Sequence, residues 1–322
     1  MKASVVGAGV IGCGWAVRFA LFGWDVAIYD ADPQALGRAT SLLEQVQPHV
    51  LALYEKLPNT GRIEQVTQLP AALDGAAWVQ ESLPEDLQMK RQVYVELSPL
   101  LKDTLLCSST SGFRPSMLAT PEDPWSDRFL VCHPFNPVYL LPLVEVVAAA
   151  GSAQPRLELA QSYLTQVGMH PLVLRKEIDA HVADRLLEAV WREALWMIKD
   201  GVATTTDIDQ AITHGFGLRW AQMGLFETYR LGGGEAGMQQ FLQQFGPALQ
   251  WPWSRLTDVP ELDAELVQMI VEQSDRQSGD VSISELMVAR DANLVALLSG
   301  LKQRNWGAGK LFNTYVEQYG EV

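Results

Sequence analysis

Cysteine is scarce in this sequence: Cys13, Cys107 and Cys132 are the three among 322 residues. Their separations match no metal-ligand spacing, so no metal site is expected. An odd, scattered set also speaks for a reducing compartment and for small core residues. Positive charge is short as well, with 24 Lys and Arg against 38 Asp and Glu and a formal net charge of −14. That balance disfavours nucleic acid or an anionic membrane as partner. No apolar run is long enough to span a bilayer; the longest, Leu140 to Ala150, is broken by Glu145. Met1-Lys2 leads straight into an apolar strand pattern, so no signal peptide is expected and a cytoplasmic location is. Internal repeats, low-complexity tracts and flexible linkers are absent too.

What is present starts at once. Lys2 to Val6 reads as a short buried strand and runs into Gly7-Ala8-Gly9-Val10-Ile11-Gly12, which opens an apolar helical pattern through Trp15, Phe19 and Phe22. Gly7 permits a tight turn, Gly9 lets the main chain approach a pyrophosphate, and Gly12 lets helix and strand pack closely. A lone GxGxxG pattern is weak evidence, but here it lies between a strand and a helix. A second strand, Asp25 to Tyr29, ends at Asp30, eighteen residues after Gly12. Asp30 is positioned to bind the adenosine ribose hydroxyls and to repel a 2′-phosphate. Ala31 follows it, with no arginine there to welcome NADP, so NAD is the expected cofactor. The plainer alternative makes Asp30 and Asp32 turn residues ahead of Pro33.

The second informative stretch is His133-Pro134-Phe135-Asn136-Pro137, with Glu145 inside the apolar run Leu143 to Val147. A carboxylate in such a run is costly without a partner, and His133 is the candidate. Together they would make a general base, the carboxylate fixing the imidazole tautomer and stabilising the imidazolium. The alternative is a satisfied structural ion pair.

Strand and helix signals alternate through the first half. Strands are expected at Ala77–Gln80, Thr104–Ser108, Arg128–Cys132, Leu143–Val147 and Pro171–Leu174, with helices near 34–57, 84–101 and 156–167. This alternation predicts an α/β fold with a mainly parallel, doubly wound sheet. After about residue 178 the strand signals stop. Leu186, Leu187, Val190, Trp191, Ala194, Leu195 and Ile198 recur at helical spacing up to the stop at Asp200-Gly201, and Ser282 with Glu285 forms a capping box for a helix through Leu298. The expected organisation is a Rossmann-type domain over 1–178 and an all-helical domain over 179–322, with a hinge around Lys176 to His181.

These features, with Ser109-Thr110-Ser111 after a strand and Asp184-Arg185-Leu186-Leu187, resemble the 3-hydroxyacyl-CoA dehydrogenase family across nearly the whole chain. The stretches His133 to Val147, Asp184 to Trp196, Gly217 to Ala221 and Gly246 to Trp253 are most similar to members acting on L-carnitine. Larger versions of those carry an added thioesterase-like domain, for which this sequence is expected to have no room. The resemblance implies NAD-dependent oxidation of the 3-hydroxyl of L-carnitine to 3-dehydrocarnitine, with a homodimer formed through the helical domain. It assigns His133 the proton of the hydroxyl, Glu145 the orientation of His133, and Ser111 a hydrogen bond to the same oxygen. Ser111 can instead be a turn hydroxyl capping Phe113-Arg114-Pro115. Glu85 and Lys90 match positions that contact the cofactor or the substrate edge in that family, or else form an ordinary helix start.

Departures from the acyl-CoA members open the substrate question. Asp184 stands where those have an asparagine; a carboxylate there can attract a quaternary ammonium, or it can compensate a helix dipole or pair with Arg185. Ala180-His181-Val182 replaces a glycine, an aromatic and an isoleucine. A quaternary ammonium is usually held by aromatic faces, for which Phe135, Trp191, Phe216, Trp220 and Tyr229 are the candidates. Arg192, Arg219 and Arg230 are candidates for the substrate carboxylate. The same chemistry on a 3-hydroxyacyl-CoA or L-gulonate, and a non-catalytic NAD-binding protein of the lens-crystallin kind, are the alternatives.

Overall fold

A computed structural model describes the chain apart from residues 55, 150–151, 153, 234, 236, 248–250, 256–260, 262, 270–281 and 320–322, and the side chains of 223, 283, 284 and 286. The Gly246 to Trp253 stretch therefore lies partly outside the described residues. The chain forms two compact units. The first comprises Met1–Asp184, Arg290–Arg304 and Ala308–Val322; the second comprises Arg185–Ala289 and Asn305–Gly307. A division at 178/179 differs from this at both ends. The segment up to Asp184 is tied to the sheet by hydrogen bonds to Glu145, and the C-terminal helices pack back on the first unit, where Phe312 and Tyr315 join its core.

The first unit is an eight-stranded sheet. Its strands are β1 (Lys2–Val6), β2 (Asp25–Tyr29), β3 (Ile63–Val66), β4 (Trp78–Glu81), β5 (Leu105–Ser108), β6 (Phe129–Pro134), β7 (Leu143–Ala148) and β8 (His170–Val173), in the order β3-β2-β1-β4-β5-β6-β7-β8. All pairings are parallel except β6 with β7. Strand β3 carries no strand signal in the sequence. It is a sheet edge whose central Glu64 and Gln65 are exposed, so neither a buried run nor strict alternation marks it.

Alternation along the central strands sends side chains to two cores. Ala3, Val5, Val26, Ile28, Leu105, Cys107, Leu130 and Cys132 enter one, while Val6, Ala27, Leu106, Phe129 and Val131 enter the other. All three cysteines are buried. Helix α1 (Val10–Leu21) follows β1 and is buried from Gly12 onward. Its Arg18 is fully buried, yet satisfied by the carbonyls of Val167, Tyr139 and Gly168 and the Tyr54 hydroxyl. Helices α2 (Arg38–Tyr54), α3 (Leu69–Leu73), α4 (Leu87–Leu97), α5 (Pro115–Leu118) and α6 (Gln154–Gln166) complete the connections. Helix α4 starts later than the expected 84–101, because Asp86 accepts the Met89 amide at 2.8 Å as its N-cap.

Helix α7 (Ala183–Lys199) begins in the first unit and ends at Gly201, whose φ of +67° closes the helix in the left-handed conformation that glycine takes without penalty. Among the described residues no strand follows β8. The second unit holds α8 (Thr205–Ala211), closed by a Thr204–Asp207 capping box, then α9 (Gly217–Gly232) and α10 (Gly237–Phe245). An apolar cavity of about 360 Å³ lies between α7 and α8. The capping box of Ser282 and Glu285 opens the helix Ile283–Gln303.

Candidate active site

The strand order reverses direction of growth at β1, between β2 and β4, and this is where a doubly wound sheet leaves a crevice at its carboxyl edge. A cavity of about 670 Å³ occupies it, lined by the Gly7–Ile11 loop, Asp30, Arg38 and the turn after β4. Gly7 has φ +103°, and a Cβ there would lie 2.6 Å from the Ser82 carbonyl oxygen. A Cβ on Gly12 would lie 1.8 Å from the Gly7 carbonyl oxygen. These two glycines are demanded by the fold itself. Gly9 is different: a Cβ on it meets no protein atom within 4 Å, so the protein leaves that side of the loop free beside the α1 N-terminus, where Val10 and Ile11 begin the helix. This cradle suits a pyrophosphate on the helix N-terminal amides.

Asp30 reaches the same cavity and braces the loop, its Oδ2 accepting the Ala8 amide at 2.6 Å and its Oδ1 the Asp32 amide at 2.9 Å. Ala31 follows it, but Arg38 at the start of α2 also lines the cavity. Cations relevant to the adenosine end are thus not confined to the next residue in sequence.

At the same carboxyl edge, past β5, His133 near the end of β6 is the register partner of Glu145 across the antiparallel β6–β7 pair. Glu145 is fully buried and its Oε2 lies 3.0 Å from His133 Nδ1; its Oε1 accepts the Val182 and Ala183 amides, each at 2.9 Å. Burial alone would raise the Glu145 pKa. The hydrogen bonds from His133, Ala183 and Val182 outweigh it and hold the carboxyl below its ordinary value. An ionised carboxylate only accepts, so Nδ1 carries the proton and the Nε2 lone pair is left for an incoming hydroxyl. Asp184, in the first turn of α7, sits on that side, with Oδ2 3.7 Å from His133 Nε2. The half-buried Phe135 ring meets the imidazole edge-on at 5.0 Å.

The loop after β5 carries Ser111, which is exposed. Its neighbours are pinned on both sides. Glu85 accepts the Thr110 hydroxyl and, at 3.0 Å, the Gly112 amide, while Ala180 N donates to Gly112 O at 3.2 Å. The Phe113 amide is accepted by Thr110 Oγ1 at 3.1 Å, so Thr110 and not Ser111 caps this turn. The capping alternative for Ser111 loses its basis. Burial would raise the Glu85 pKa, but the Thr110, Gly112 and Lys90 contacts lower it.

Lys90 lies at the start of α4. It is 1 % exposed, and its ammonium meets Glu81 Oε1 at 2.7 Å, the Leu83 carbonyl at 3.1 Å and Glu85 Oε2 at 3.4 Å. Three acceptors occupy its three donors, so it organises the β4–α4 turn. The sequence reading missed Glu81, which also accepts the Tyr94 and Ser108 hydroxyls at 2.6 and 2.7 Å. A carboxylate closing the buried strand Trp78–Glu81 was the available signal, of the same kind as Glu145.

The remaining candidates belong to the second unit. Phe216 and Trp220 are in ring contact at 4.6 Å, and Tyr229 stacks on Phe241 at the same separation. Trp191 is exposed on α7; Arg192 lies 4.0 Å from Glu188; Arg219 and Arg230 are exposed. Only the Phe216–Trp220 pair among them is brought together. Among the described residues, no group of three or more His, Cys, Asp or Glu is arranged to hold a metal ion, and no helix is long and apolar enough to cross a membrane.

Comparison with known proteins adds the following. Residues 2–178 match the model of the 3-hydroxyacyl-CoA dehydrogenase NAD binding domain, and 181–269 that of the 3-hydroxyacyl-CoA dehydrogenase C-terminal domain. A protein of Ruegeria pomeroyi named L-carnitine dehydrogenase/betainyl-CoA thioesterase is 51 % identical over 97 % of this chain, which spans 64 % of that relative's length. An L-carnitine dehydrogenase of Mesorhizobium japonicum is 44 % identical, with all of this chain and 90 % of the relative aligned. The solved structure of FHMPC 5-dehydrogenase, described as an NAD+ dependent dismutase, superposes with a TM-score of 0.79 at 27 % identity over 92 % of this chain and 96 % of its own.

Proposed function

The chain belongs to the 3-hydroxyacyl-CoA dehydrogenase family, and from that premise we infer that it oxidises the 3-hydroxyl of L-carnitine to a ketone with NAD. The observation that carries the substrate is Asp184, an acceptor-only carboxylate 3.7 Å from the nitrogen that takes the hydroxyl proton. In L-carnitine the quaternary ammonium is one carbon from the carbinol, so a substrate whose hydroxyl meets His133 brings its cation to this carboxylate. An uncharged acyl chain gains nothing there. The names of the Ruegeria and Mesorhizobium relatives support the same substrate.

NAD, when bound, supplies the hydride acceptor. The free Gly9 face and the α1 N-terminus would hold its pyrophosphate, and Asp30 its ribose, within the 670 Å³ cavity. His133 Nε2 removes the hydroxyl proton as the carbinol is oxidised. Glu145 keeps Nδ1 protonated and, with Asp184, stabilises the imidazolium that results. Ser111 donates to the same oxygen, steadying it for transfer. Phe135, edge-on to the His133 ring, offers an aromatic face to the trimethylammonium. A homodimer in the cytoplasm completes the reading, with Leu186, Leu187 and Trp191, exposed on α7, as its apolar contact.

The test is to offer purified protein and NAD separately to L-carnitine, D-carnitine, L-gulonate and 3-hydroxybutyryl-CoA and follow reduced nicotinamide absorbance. Turnover with L-carnitine is expected. Turnover confined to the CoA ester or to gulonate would overturn the substrate, and NAD binding without any turnover would overturn the activity.

A further inference from the structure

His181 takes no part in the chemistry above, yet its ring is fully buried beside it, 5.5 Å from that of His133. Its Nε2 lies 3.2 Å from the Thr110 carbonyl. A carbonyl only accepts, so Nε2 bears the hydrogen, and Nδ1 is left as a buried lone pair with no partner among the described protein atoms. The charged and titratable groups facing it are His133 on β6, Glu145 on β7 and Asp184 on α7. Burial is the largest influence and lowers its pKa, which keeps the ring neutral. The backbone is unusual at the same place: Ala180 and His181 have φ of +60° and +50°, which residues with a Cβ rarely adopt. A strained conformation held next to a reactive pair points to a function for what it presents. What it presents is a side chain turned onto the Ser111 loop, while the next two amides turn onto Glu145.

We propose that His181 is a positioning residue: as a neutral Nε2–H donor it holds the Thr110 carbonyl, and thereby sets the Ser111 hydroxyl against the oxygen that His133 deprotonates. The proposal rests on the 3-hydroxy dehydrogenase reading for its kinetic consequence. An aromatic hydrocarbon ring at 181 would fill the same space but donate nothing, which provides the variant that separates packing from positioning.

His181→Phe is expected to lower kcat roughly 10- to 100-fold, with KM for L-carnitine and the Kd for NAD changed by less than about twofold. His181→Gln, which returns an N–H donor without a titratable ring, is expected to recover most of the loss. In a Ser111→Ala background His181→Phe should cost less than about twofold, because the group through which it acts is already gone. An unchanged kcat in His181→Phe, or the same fold loss with and without Ser111, would overturn the proposal. A second measurement needs no turnover. The imidazole nitrogen shifts of 15N-labelled protein are expected to show His181 as the Nε2–H tautomer, and an Nδ1–H tautomer would sink the proposal whatever the substrate. If that tautomer is present but L-carnitine is not oxidised, the substrate reading has failed and the anchoring contact stands.

Discussion

Lys90 and His133 each lie between two carboxylates in the first unit, and the contrast between them separates a structural cluster from a reactive one. Lys90 is bonded by Glu81 and paired with Glu85, and its third donor is taken by the Leu83 carbonyl. Nothing is left over. His133 is bonded by Glu145 through one nitrogen, but its second nitrogen stands 3.7 Å from Asp184, beyond a hydrogen bond. The number of carboxylates and the burial of the central side chain are nearly alike in the two clusters. The open lone pair is what differs, and satisfaction rather than composition marks the site that can react.

The largest effect is expected from closing that lone pair off altogether. His133→Ala should lower kcat by roughly two to four orders of magnitude, the span of a general base, with NAD affinity retained in a calorimetric titration. Full activity would erase the distinction between the clusters. Lys90→Met should act through the fold instead. It leaves the fully buried Glu81 carboxylate without its cation, which destabilises by about 3–5 kcal/mol, measured as the urea unfolding midpoint. A Lys90 variant of undiminished stability and impaired NAD binding would move Lys90 back to the cofactor.

A smaller change sharpens the comparison at the second carboxylate. Asp184→Asn should raise KM for L-carnitine about tenfold while slowing kcat less; an unchanged KM would remove Asp184 from the cation site. The smallest effect concerns acid. The Glu145 carboxyl is held below its ordinary value, near 4.5, so its contribution to stability is fully present above that value and is lost as pH falls through the depressed one. In that window the unfolded state binds more protons and unfolding free energy rises with pH. Glu145→Gln should flatten the slope in urea titrations at successive pH values, and an unaltered slope would show that the dyad does not stabilise the native state.

Much of the cofactor end was legible because its determinants are local. Gly7, Gly12 and the end of β2 are contiguous stretches whose meaning follows from turn sterics and strand ends. His133 and Glu145 were also legible, because a carboxylate in an apolar run demands a partner. What the sequence hid was long-range. Edge strand β3 has two exposed polar residues at its centre. Lys90 looks like any helix-start lysine until Glu81 and Leu83 close around it, and the turn cap is Thr110, which accepts the Phe113 amide and donates to Glu85, where the sequence offered Ser111. Arg38 and Asp30 meet in a cavity that no spacing rule connects. The Ala180-His181 backbone is equally silent in sequence, since neither residue advertises a left-handed conformation.

The antiparallel pairing of β6 with β7 has a consequence for how this chain can change by insertion and deletion. Because His133 and Glu145 face each other as register partners, their meeting depends on parity within the strands. Residues gained or lost in the connection 135–142 can be absorbed there while the partners stay opposed. Removing one residue inside β7, ahead of Glu145, turns the carboxylate to the other side of the sheet, and with it goes the cap that Val182 and Ala183 use to start α7. The length of this hairpin is free to drift, and its phase is not.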